Sequence, residues 1–68
     1  MSYEVFQKRV NALVDRIEGS KPTVKFRHDA ERGKHYANFS DGTTIIGNTV
    51  AKKVMVDWGS GHRAIANI

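Results

Sequence analysis

The sequence predicts an α+β domain: one N-terminal amphipathic helix packed on a four- to five-stranded antiparallel β-sheet. Three observations predict it. Apolar residues recur at helical spacing over residues 3–18. Short runs at 23–28, 34–40, 43–46, 53–58 and 62–67 alternate apolar and polar side chains, the period of a half-buried strand. Asp41-Gly42 stands between two of these runs, and an Asp-Gly pair in that setting is a strong hairpin signal.

In the helix, Tyr3, Phe6, Val10, Leu13, Val14 and Ile17 form one stripe, read as core. Ser2 is placed to cap the N-terminus, and Glu4 to meet Lys8 one turn on. Gly19 suits a left-handed C-terminal cap, with Pro22 soon after.

Along the first strand Val24, Phe26 and His28 point one way, and Lys25 and Arg27 the other. Asp29 to Gly33 is a polar loop ending in glycine. Pairing His28 with His35 sets Phe26 against Ala37 and Val24 against Phe39, so the apolar faces coincide. A two-residue type I′ turn at Asp41-Gly42 pairs Ser40 with Thr43, Asn38 with Ile45 and Ala37 with Ile46. That register puts Thr44 and Ile46 on the core face, and Ile45 on the other with Tyr36 and Asn38. Gly47 and Asn48 are expected to end the third strand.

Thr49 to Lys53 reads as a bulge, a strand start or a loop. Gly59-Ser60-Gly61 makes a three-residue hairpin loop, pairing Trp58 with His62, Asp57 with Arg63, Val56 with Ala64 and Met55 with Ile65. The closing stretch VMVDWGSGHRAIANI resembles, in pattern, the strand hairpins of small SH3-like barrels. That resemblance implies an alternative in which the sheet curls into a barrel with the helix at one end.

At 68 residues the chain makes one small domain, 1–68, with a core too small to be generously stable. There is no cysteine, so neither a disulfide nor a thiolate metal site is available, which suits a reducing cytoplasm. No apolar run approaches the roughly 18 residues of a membrane span, and charged residues interrupt any N-terminal signal-peptide pattern. The net charge of +4 points to an acidic partner, nucleic acid or an acidic protein surface. A small core and a free sheet edge also favour a homodimer.

His28 and His35, facing each other across a hairpin, become a zinc site only if a third ligand such as His62 or Asp29 arrives; ordinary half-buried histidines are the expectation, with no metal and no cofactor. Asp57, Ser60 and His62 have the residue types of a hydrolytic triad but crowd one tight turn, so no catalysis is expected. Gly59-Ser60-Gly61 as a phosphate cradle is fully explained as a turn.

The stronger candidate is the sheet face away from the helix. Lys25, Arg27, Tyr36 and Asn38 put cations beside an aromatic ring and an amide, a set suited to nucleic acid. Ile45, Met55 and Ile65 continue that face as an apolar patch for a partner or a second copy. The expectation is a small non-enzymatic nucleic-acid-binding or regulatory accessory protein. The alternative is a protein-binding inhibitor or adaptor. In size and layout the chain looks like the accessory proteins of phages and mobile elements, including anti-defence inhibitors such as anti-CRISPR proteins.

Overall fold

The computed structural model describes residues 1–51, 53–59 and 61–68. One helix, α1 (Tyr3–Asp15), precedes β1 (Val24–Asp29), β2 (Lys34–Phe39), β3 (Thr44–Asn48), β4 (Val54–Asp57) and β5 (Arg63–Ala66). All pairings are antiparallel, and the sheet order β1-β2-β3-β4-β5 repeats the chain order. The sheet is open, so the barrel alternative is set aside.

Ser2 caps α1 by accepting from the Val5 backbone N–H at 3.2 Å. The helix is shorter than its apolar stripe suggests. Arg16 is its C-cap, and Ile17 lies beyond it and is exposed. Gly19 does take a positive φ, but in the connection after the helix and not at its cap.

The helix covers one face of the sheet, the inner face. Phe6 and Val10 are fully buried there with Ala37, Ile45 and Val54. Phe6 meets Phe26 edge to face at 6.2 Å. It also sits directly on Gly47, where a Cβ would lie 2.6 Å from the Phe6 Cδ1. Gly47 therefore does not break β3; it lets the helix ring approach the strand backbone. Burying a ring like that of Phe6 contributes about 1.5–3 kcal/mol.

β1 and β2 pair in the expected register, with Phe26 opposite Ala37 and His28 opposite His35. So do β4 and β5, with Met55 opposite Ile65 and Asp57 opposite Arg63. The β2–β3 hairpin differs by one residue. Phe39 N–H donates to the Thr43 carbonyl at 2.8 Å and Gly42 N–H to the Phe39 carbonyl at 3.1 Å, so Ser40, Asp41 and Gly42 form a three-residue loop. Gly42 takes φ +91°, the left-handed position that closes a type I turn in such loops. Ala37 then pairs with Ile45, and Tyr36 with Ile46. The slip exchanges the two isoleucines: Ile45 is 3% exposed in the core, and Ile46 faces outward.

Candidate functional site

On the outer face, away from α1, the register lines up side chains from all five strands. One row runs Arg27, Tyr36, Ile46, Met55, Ile65, from β1 to β5. Beside it runs Lys25, Asn38, Thr44, Asp57, Arg63. On the other side run Asp29, Lys34 and Asn48, and Lys53 lines a shallow groove together with Lys34, Ile46, Met55 and Ile65.

The β1–β2 end of this face is polar and positive. The Arg27 guanidinium lies over the Tyr36 ring, 4.3 Å from its centroid. Lys25 lies opposite Asn38, whose side-chain oxygen accepts from the Thr44 hydroxyl at 3.1 Å. The β3–β5 end is apolar. Ile46 and Met55 are half-buried, and Ile65 is 64% exposed at the sheet edge.

Five cations, Lys25, Arg27, Lys34, Lys53 and Arg63, border or belong to these rows, against two carboxylates, Asp29 and Asp57. Both carboxylates have donors close by. Asp57 receives the Arg63 Nε at 3.2 Å and the Gly59 N–H at 2.9 Å. Asp29 receives the Arg32 N–H at 3.3 Å, with the Arg32 Nε 3.9 Å away. The face is thus an apolar strip between positive margins, and its two negative groups are already engaged.

Four expected residues, Lys25, Arg27, Tyr36 and Asn38, share this face and adjoin one another. Met55 and Ile65 share it too. Ile45 does not: it is buried under α1, because the β2–β3 loop holds one residue more than a type I′ turn. Ile46 takes its place. Sequence reasoning also passed over Lys34 and Lys53; the strand alternation that places Lys25 outward places these outward as well.

The other candidates resolve differently. His28 and His35 do face each other, with ring centroids 5.0 Å apart, but they belong to an aromatic cluster. Tyr3 stacks on His28 at 4.7 Å, and Phe6 leans on His35 at 5.4 Å. His35 is fully buried and not half-buried as expected, because the first turns of α1 lie over it. Its Nε2–H donates to the Met1 carbonyl at 2.9 Å. Asp29 is on the opposite face, and His62 follows the far end of β4, so neither supplies a third ligand. Among the described residues no group of three potential metal ligands comes together. Of the triad types, Asp57 is held by Arg63, and Ser60 lies outside the described residues, as does the centre of the Gly59–Gly61 loop.

Among the described residues one titration shift is clear. The Thr43 backbone N–H, donating to the Asp41 carboxylate at 2.9 Å, holds that carboxyl below its usual value. It lies in the β2–β3 loop and not in the rows. Among the described residues no helix is long and apolar enough to cross a membrane. No protein-family model, curated protein or solved structure matches this chain.

Proposed function

We propose that the outer sheet face binds nucleic acid, and that the protein is a non-enzymatic accessory or regulatory factor. The observation that carries this reading is the Arg27–Tyr36 stack, with Lys25 and Asn38 on one side and Lys34 on the other. Cations attract phosphate without regard to sequence, and a ring and a guanidinium plane give bases something to lie on. The cytoplasm is the compartment that fits a cysteine-free chain with such a ligand.

Fluorescence anisotropy with generic oligonucleotides across a salt series tests it. Binding should weaken steeply with salt, because each neutralised phosphate releases counterions. Lys25→Ala should lower affinity and flatten the salt slope by about one unit. Tyr36→Ala should cost about 1–3 kcal/mol and leave the slope alone. Lys8, paired with Glu4 at 3.5 Å on the exposed side of α1, serves as the control. Equal losses for Lys8→Ala and Lys25→Ala would remove the specific face.

A second reading rests on the Ile46, Met55 and Ile65 strip. An apolar strip with positive margins also suits an acidic protein surface, as for an inhibitor of the phage or mobile-element kind. It becomes the first choice if no oligonucleotide binds at low salt.

A further inference from the structure

Building on the nucleic-acid reading, we infer that the ligand is single-stranded DNA, laid across all five strands along the row Arg27, Tyr36, Ile46, Met55, Ile65. The central row presents a guanidinium plane, an aromatic ring and three aliphatic or thioether side chains, and beyond Tyr36 it has no hydrogen-bonding group. Such a row holds flat, unpaired bases by stacking and apolar contact, without reading their edges. The margins present the charge: Lys34 and Lys53 on one side, and Lys25 on the other, where Arg63 is held by Asp57. A strand whose bases lie on the central row has its phosphates within reach of those margins. Charge and apolar surface are therefore complementary to the two halves of a nucleotide.

A duplex fits poorly. Its bases face each other and are hidden from a flat surface, so Ile46, Met55 and Ile65 would gain nothing from it. The major groove admits a helix or a two-stranded ribbon, and a five-stranded open sheet is neither. The row crosses four strand-to-strand spacings of about 4.8 Å, roughly 19 Å in all. That length accommodates about four nucleotides, the short end of single-strand site sizes. DNA is favoured over RNA because thymine carries a methyl group that the aliphatic floor takes up, and uracil has none.

Three labelled probes decide the matter at low salt: an oligo-dT of about twelve nucleotides, a blunt duplex of the same length and the matching oligo-rU. The expected result is oligo-dT binding about tenfold or more tighter than either of the others. Met55→Ser, at a half-buried outer position, should weaken oligo-dT binding about fivefold or more with the salt slope unchanged. In methyl NMR spectra, Ile46, Met55 and Ile65 should shift on adding oligo-dT while Ile45, next in sequence but on the inner face, stays still.

Equal affinity for oligo-dT and duplex overturns the inference. So does an unaffected Met55→Ser protein. In either case, continued weakening by Lys25→Ala leaves the nucleic-acid reading standing. Oligo-rU binding as tightly as oligo-dT overturns the choice of DNA. Absence of binding to all three probes removes the inference and the reading together, and leaves the acidic-protein partner.

Discussion

The two faces of the sheet are made by the same strands and differ in almost everything else. The inner face carries His35, Ala37, Ile45, Gly47 and Val54, all buried beneath α1. The outer face carries Tyr36, Ile46, Met55 and Ile65, which no other element covers among the described residues, and gathers the cations around them. Alternation along each strand places neighbouring residues in opposite roles. Ile45 supports the fold, and Ile46, one residue on, faces outward. Chemical identity does not separate the two; the count of residues in the preceding loop does.

Truncating both isoleucines separates the two faces by the largest expected difference. Ile45→Ala should cost about 2–4 kcal/mol through lost burial and the cavity left behind. Ile46→Ala should cost about 1 kcal/mol or less, as a partly exposed position. Urea denaturation of the two variants measures the difference. A larger cost at Ile46 than at Ile45 would mean that the β2–β3 register is the other one.

Next in size is the contact between α1 and β3. Gly47→Ala places a methyl group 2.6 Å from the Phe6 Cδ1 and 2.9 Å from its Cε1. Overpacking of this kind costs about 1–3 kcal/mol. In a Phe6→Leu background the same change should cost less, because the ring edge is gone. A double-mutant cycle reads that coupling, and strictly additive costs would show that the ring and the glycine do not meet.

Ile45 and Gly47 were both misplaced in the sequence reading, whereas the registers on either side of them were legible. The β1–β2 register was readable because Val24, Phe26 and His28 match Phe39, Ala37 and His35 in one alignment alone. The β4–β5 register was readable for a similar reason, with Asp57 falling opposite Arg63. Between β2 and β3 the pattern is degenerate. Ile45 and Ile46 are identical and adjacent, so either fits opposite Ala37, and Asp-Gly suits both the two-residue loop and the three-residue loop. The outer cationic set was readable at Lys25 and Arg27, since strand alternation alone places it. The full row from Arg27 to Ile65 was not, because it needs every register at once, and a single slip displaces Ile46 from it. The burial of His35 was also hidden. It depends on where α1 crosses the sheet, and strand alternation does not contain that.

The smallest expected effect lies in the same β2–β3 loop. The Thr43 N–H lowers the Asp41 carboxyl below its ordinary value in the folded protein. A lowered folded value contributes stability that is present above the unfolded value and lost as pH falls through the folded one. Wild type should therefore lose stability slightly more steeply than Asp41→Asn as the pH falls below about 4. Thermal midpoints over that range compare the two, and superimposable profiles would show that the bond contributes nothing. This effect touches neither face, which sets the scale against which the Ile45 and Ile46 costs are read.

Because the strand order repeats the chain order, every pairing in the sheet joins neighbours along the chain. The loops closed in forming it are short, and closing a short loop loses little conformational entropy. The helix is different. Phe6 and its resting place at Gly47 are 41 positions apart in sequence, and α1, at 13 residues, is marginal as an isolated helix. The long-range ordering of the chain is thus concentrated in one docking event. The part of the molecule that comes first in sequence is the part whose position depends on all that follows it.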